Sequence, residues 1–268
     1  MSFSVYVMGL FAILTLATAT WAVSIVKRDV SIVDGIWPMM FLVAAVVYSS
    51  NSEFYSSRSA LILTLILLWA VRLSGHIVVR NWGEPEDRRY RDIRQKYQPF
   101  FELKSLGIIF LFQGLLAWII SMPLWASLTE PVELVLIDVL AIGLWILGMV
   151  FETVGDWQLA RFQADPSNRG KVLNQGLWRY TRHPNYFGEC VIWWGFYTFA
   201  IPVGAWWSIF APLLLTYLLL KFSGVALLEE SIVKRRPAYQ DYMVSTNAFI
   251  PGPPQKIHKI THTHERIS

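Results

Sequence analysis

A chain of 268 residues in which 54% are hydrophobic, 16% are charged and 13 are tryptophan is too apolar for a water-soluble globule of its size, and it reads as a polytopic membrane protein. One cysteine, Cys190, excludes an internal disulfide, and the absence of CxxC, GxGxxG, Walker A and HExxH patterns removes most support for metal-centred and soluble nucleotide-binding folds. The net charge of +4 does not point to nucleic acid, because the cations sit at the ends of apolar segments, where they report membrane topology.

At about 20 residues per crossing, the length accommodates roughly six to eight spans. The expected organisation is one transmembrane domain over residues 1–250 and a flexible cytoplasmic tail over 251–268. Residues 3–26 form an uninterrupted apolar run stopped by Lys27 and Arg28. No small-residue cleavage site leads from it into a soluble domain, so it is a retained first span and not a signal peptide. The second span, about Ile32 to Tyr48, opens with SIVDGIWP; Asp34 falls near a membrane boundary and Pro38 can kink the first turn. After the polar turn Asn51–Ser57, the third span runs from Ser59 to about Arg80. Arg72, His76 and Arg80 recur in it at every fourth position, on one stripe that must face protein or water.

Residues 81–104 are the longest polar segment, mixed in charge and helical in pattern after Pro85. The fourth span, Leu106–Leu128, carries Gln113; Thr129–Glu133 forms the return turn. The fifth, Leu134 to about Phe162, ends with Glu152 and Asp156 one helical turn apart. A polar connection leads to the sixth span, Pro184–Ile201, and then to the seventh, Trp206 to about Val233, which contains Lys221 and ends in Glu229 and Glu230. In the Pro-rich remainder Tyr239, Tyr242 and Phe249 are docking points, and His258, His262 and His264 read as a loose tail ahead of a metal site.

The expected fold is therefore an all-α, multi-pass helix bundle of about seven spans. An outside N-terminus puts nearly all Lys and Arg in or beside the cytoplasmic loops and the C-terminus in the cytoplasm, with Arg58, Arg72 and Lys221 as exceptions. A bacterial inner membrane is the expected location. No internal repeat is evident, which weakens an inverted-repeat transporter.

The richest stretch is QGLWRYTRHPNYFGE, residues 175–189. Arg179, Arg182 and His183 precede Pro184, a first-turn residue, where unpaired backbone N–H groups and the helix dipole favour an anion. Asn185 and Glu189 then share a face, with Trp193 on the same stripe. A headgroup-level anchor is the competing reading, but anchoring does not need a glutamate one turn into an apolar segment. Charged groups facing hydrocarbon would cost roughly 2.5–3.5 kcal/mol each at a helix centre. Asp34, Arg72, His76, Arg80, Glu152, Asp156, Glu189, Lys221, Glu229 and Glu230 are therefore expected to be paired or wet, around one chamber open to the cytosol. NADPH suits such a chamber. Arg169, Lys171, Arg179 and Arg182, with Arg80, Arg88, Arg89 and Arg91 in the third-span loop, can meet its phosphates, and Asp156 and Glu189 its ribose hydroxyls or carboxamide. Carboxylates salt-bridged to neighbouring arginines without any ligand remain the alternative.

GLWRYTRHPNYFGE followed by WWGFY, together with SIVDGIWP, WAVRLSGHIVVRNWGEPEDRRY and YQDYMVSTNAFIP, resembles the membrane family of unknown function DUF1295, related to steroid 5-alpha-reductases. The resemblance spans most of residues 30–252. It implies a membrane-embedded, NADPH-dependent reductase of an activated C=C bond in a steroid- or isoprenoid-like lipid. Asp156, Tyr180, Asn185 and Glu189 match cofactor-contacting positions, and Asn81 a cofactor-facing loop; His183, Tyr186 and Glu230 complete the expected cofactor set. The reductases carry a Gln-Glu pair on span two and a tyrosine on span three, whereas this chain has Asp34 and Leu73. Asp34 and His76 are thus the candidate acids; a helix-capping aspartate and a core histidine are their bland counterparts.

The Arg-His-Pro-x-Tyr core with a late Glu-Glu also resembles membrane methyltransferases acting on prenylated or phospholipid substrates. These would hold S-adenosylmethionine with His183, Asn185, Glu229 and Glu230, leaving the extra cations without a role. A non-enzymatic membrane protein is the third reading. The expected partners are the bilayer and a lipid-like small molecule, without nucleic acid; the oligomeric state is not legible.

Overall fold

Hydrocarbon offers backbone N–H and C=O groups no partner, so apolar runs of this length close their hydrogen bonds within helices. The computed structural model describes residues 2–222, 225, 229, 232–233, 236 and 238–255, and among these no strand occurs. In chain order the helices are α1 (Phe3–Lys27), α2 (Ile32–Ser50), α3 (Ser57–Asn81), α4 (Arg88–Lys96), α5 (Phe101–Ile120), α6 (Met122–Thr129), α7 (Leu136–Ala164), α8 (Pro184–Ala200), α9 (Trp206–Lys221) and α10 (Tyr239–Ser245). Of these, α1, α2, α3, α5 and α7 are long and apolar enough to cross a membrane; α8, with 17 residues, and α9 are shorter. The fourth expected span is two helices. Its chain breaks at Ser121, whose hydroxyl donates to the Trp118 carbonyl at 2.7 Å and lies 2.8 Å from the Tyr48 phenol, and Pro123 opens α6.

Local signals account for the helix ends. Asp87 caps α4 by accepting from the Arg89 N–H at 2.8 Å, and Ser56 caps α3 through the Ser59 N–H at 3.2 Å. Arg28, at φ 53°, closes α1 in the left-handed conformation, and the next N–H, of Asp29, reaches back to the Ser24 carbonyl at 3.1 Å. The chain divides into two compact units: Met1–Ile146 with Val191–Leu215, and Leu147–Cys190 with Thr216–Ser268. The boundaries fall inside α7, α8 and α9.

The first unit packs aromatic rings. Trp69 and Trp193 are fully buried and meet edge-on at 5.6 Å, with Phe41 4.5 Å from Trp193; Tyr6 stacks on Trp118 at 4.3 Å. Arg58, an exception to the charge rule, lies fully buried on Asp138. Its Nε donates to Oδ2 at 2.9 Å and its Nη2 to Oδ1 at 3.1 Å, with the Ser127 and Phe199 carbonyls taking further donors. A cation that reads as misplaced in the sequence is thus neutralised inside the protein.

In the second unit, α7 and α8 meet backbone to backbone. A Cβ on Gly188 would lie 2.5 Å from the Glu152 nitrogen, and one on Gly155 would lie 3.1 Å from the Pro184 ring. The segment after α10 straps onto the short turn Gly176–Arg179 and the residues that follow it. Arg182 N–H donates to the Asn247 carbonyl at 2.9 Å, Thr181 Oγ1 to Phe249 at 2.7 Å, and Gly252 N–H to Tyr180 at 3.0 Å, while the Tyr242 phenol donates to the Trp178 carbonyl. Residues 251–255 of the expected free tail are thus held in place, and 256–268 lie outside the described residues.

Removing one member of the Arg58–Asp138 pair strands a buried charge. Arg58→Met or Asp138→Asn is expected to lower stability by about 3–5 kcal/mol, and Arg58→Met with Asp138→Leu by much less, read from thermal unfolding in detergent.

Candidate functional site

Pro184 opens α8 as its place in the sequence predicts, but the residues before it have different tasks. Arg182 is buried. Its Nε and Nη2 donate to the two Glu229 oxygens at 2.6 and 3.0 Å, and its Nη1 donates to the carbonyls of Met243 and Thr246 at 2.9 and 2.6 Å. With those donors engaged inside the chain, the guanidinium acts as a structural clamp and does not offer a phosphate fork. His183 Nε2 shares Glu229 Oε1 at 3.0 Å, and its ring stacks at 5.6 Å on Tyr186. Through Arg182, the helix start is tied both to Glu229 and to the carbonyls of Met243 and Thr246, which are far from it in sequence. That distance is why the clamp is not legible there.

The glycine crossing has a chemical consequence. It brings Asn185 against Asp156, Nδ2 to Oδ1 at 3.0 Å, so the carboxylate expected to meet ribose hydroxyls is held in a fixed orientation. Glu152 and Glu189 are buried in the same unit. Arg169, Lys171, Arg179 and Tyr180 are exposed on the connection between α7 and α8. Glu230, together with His258, His262 and His264, lies outside the described residues.

In the first unit Asp34 is the hub of a network. Its Oδ1 accepts from the Tyr90 phenol at 2.5 Å and its Oδ2 from Arg89 Nη2 at 2.9 Å, while Gln113 Nε2 donates to the Tyr90 oxygen at 3.0 Å. Burial, followed by the neighbouring Asp34 charge, pushes the Tyr90 hydroxyl well above the ordinary phenol range, so it stays protonated. Asp34 is therefore more than a helix-start residue. Tyr90 lies in a charged run that hides it in the sequence; the signal that points to it is Gln113, the lone amide in an apolar span. His76 is half-buried on α3, and Arg80 Nε donates to Asn81 Oδ1 at 3.1 Å.

A cavity of about 740 Å³ opens in the same unit between α1, α2, the end of α3 and the turn 81–86. Asn81 is one of its lining residues, and Asp34 and His76 are not. Below it, Glu86 accepts from Arg94 Nη2 at 2.7 Å and Nε at 2.9 Å, and from the Val30 N–H at 2.9 Å; Arg94 also lies 4.5 Å over the Phe101 ring. These contacts staple α4 to the α1–α2 turn. Burial opposes ionisation of Glu86, but the hydrogen bonds from Arg94 and Val30 outweigh it and hold the carboxyl below the usual glutamate range.

The family model described as protein of unknown function (DUF1295) matches residues 20–246. An uncharacterised protein of Schizosaccharomyces pombe is 27% identical over 277 residues, covering 92% of this chain and 79% of its own length. No solved structure matches.

A carboxyl whose folded pKa is depressed contributes stability above its unfolded value, near 4.3, and loses it as pH falls through the lower folded value. The α4 staple is accordingly expected to hold at pH 7 and loosen below about pH 4. Amide exchange over residues 84–97 should rise there beyond the intrinsic pH effect, and Glu86→Gln should remove that excess pH dependence.

Proposed function

The chain belongs to the DUF1295 family, and from its own side chains we propose that it is a membrane-embedded reductase that uses NADPH to saturate an activated C=C bond in a steroid- or isoprenoid-like lipid. The observation that carries this reading is the partition of cations in the second unit. Arg182 is locked on Glu229, while Arg169, Lys171 and Arg179 stand exposed on the one connection that leads into the oriented Asp156–Asn185 pair. Exposed guanidinium and ammonium groups suit the phosphates of a dinucleotide, and a fixed carboxylate suits its ribose hydroxyls. The exposed ring of Tyr180 and the buried Glu189 extend the same set.

NADPH, when bound, supplies the hydride. The chain has to orient the lipid carbonyl and provide a proton as the double-bond electrons move toward that oxygen. Asp34 and His76 are the expected acids. The Tyr90 phenol, which donates to Asp34 and accepts from Gln113, is a further candidate for the proton, with those two side chains as its positioning partners. His76 remains the second candidate.

Methyl transfer with S-adenosylmethionine is the alternative, and the 3.0 Å approach of His183 to Glu229 favours it, since both belong to the set such a cofactor would use. Calorimetry in detergent separates the two. Wild type is expected to bind NADPH, and Arg179→Ala and Arg169→Ala each to weaken it by about tenfold, the effect of one lost charged hydrogen bond. Binding of S-adenosylmethionine alone would overturn the reductase assignment.

A further inference from the structure

Asn81 apart, the cavity in the first unit has walls and a rim that the reductase reading leaves unused. Its walls are apolar: Leu16, Ala19 and Val23 follow one stripe of α1, and Gly35, Ile77 and Val78 close the other side. A Cβ on Gly35 would lie 3.0 Å from the Val78 side chain, so the glycine sets how closely α2 and α3 approach there. From Leu16 to Lys27 the wall extends about 16 Å at 1.5 Å per helical residue. Ala19, Val23 and Val78 are exposed along helices long and apolar enough to cross a membrane, so these groove walls are accessible and not sealed in the core.

The rim lies where α1 and α3 end, at headgroup level. It carries both signs of charge. Lys27, Arg28 and Glu84 are exposed, whereas Glu86 is tied to Arg94, and Asp29 accepts from the Ser31 N–H and hydroxyl. Trp82 belongs to the same lining, is 80% exposed, and has a ring face that suits an ammonium group. A phosphate beside Lys27 and Arg28 and an ammonium over Trp82 and Glu84 satisfy both halves of this rim at once.

We propose that the cavity is a binding site for a zwitterionic glycerophospholipid, with one chain along the α1 stripe and the phosphate-ammonium headgroup on Lys27, Arg28, Trp82 and Glu84. The bilayer supplies the ligand along the accessible walls. The site does not depend on nucleotide binding, so the two assignments stand or fall separately.

The test uses the full chain in nanodiscs of equal phosphatidylcholine and phosphatidylglycerol, released and weighed by native mass spectrometry. Wild type is expected to retain phosphatidylcholine over phosphatidylglycerol by about tenfold, a preference within reach of one cation–π contact and one charged contact. Ala19→Trp, which fills the groove from its α1 wall, should abolish retention. Trp82→Ala with Glu84→Gln, both on exposed side chains, should leave the two lipids retained equally. Equal retention by wild type, or unchanged phosphatidylcholine retention in Ala19→Trp, overturns the proposal. Nucleotide titration of the same samples tells that failure apart from failure of the reductase reading.

Discussion

A charge inside a membrane protein must find its partner within the chain, because hydrocarbon supplies neither counter-ion nor water. Three such pairings organise this molecule, and each joins segments remote in sequence. Arg58 on Asp138 fastens the start of α3 to the start of α7. Arg182 on Glu229 fastens the start of α8 to the segment beyond α9 and, through its remaining donors, to the strap after α10. Asp34 on Tyr90 and Arg89 fastens α2 to the polar α4. Each pair neutralises its charge within the chain.

Close backbone packing decides which polar groups meet. Where Gly155 and Gly188 let α7 and α8 touch, Asp156 and Asn185 come within hydrogen-bonding distance; a side chain at either glycine would have to displace backbone to fit. The crossing therefore joins two helical motifs, Glu152 with Asp156 and Asn185 with Glu189, through the Asp156–Asn185 hydrogen bond. The same logic operates at Gly35, where the missing side chain shapes a groove.

These arrangements bear directly on chemistry. In the second unit a carboxylate on α7 is held by Asn185, and exposed cations line the connection that follows α7. In the first, a phenol kept protonated by its surroundings is gripped by a carboxylate and an amide, a combination that can position a proton donor. Membership in a family without an assigned activity neither supplies nor opposes these roles.

Length and hydropathy alone determined that the chain is helical and membrane-embedded, because a 20-residue apolar run has few other ways to satisfy its backbone. The start of α8 was equally legible, since proline and its flanking residues act locally. The assignment of Arg182 was not. Nothing in RYTRHPNY distinguishes an arginine aimed at a ligand from one clamped on Glu229, a residue 47 positions away. The contacts of Tyr90 with Asp34 and Gln113 and the Arg58–Asp138 pair were invisible for the same reason. Helix ends and apolar periodicity are written in neighbouring residues, whereas the partner of a buried charge is chosen only when distant helices pack and leave it no other neighbour.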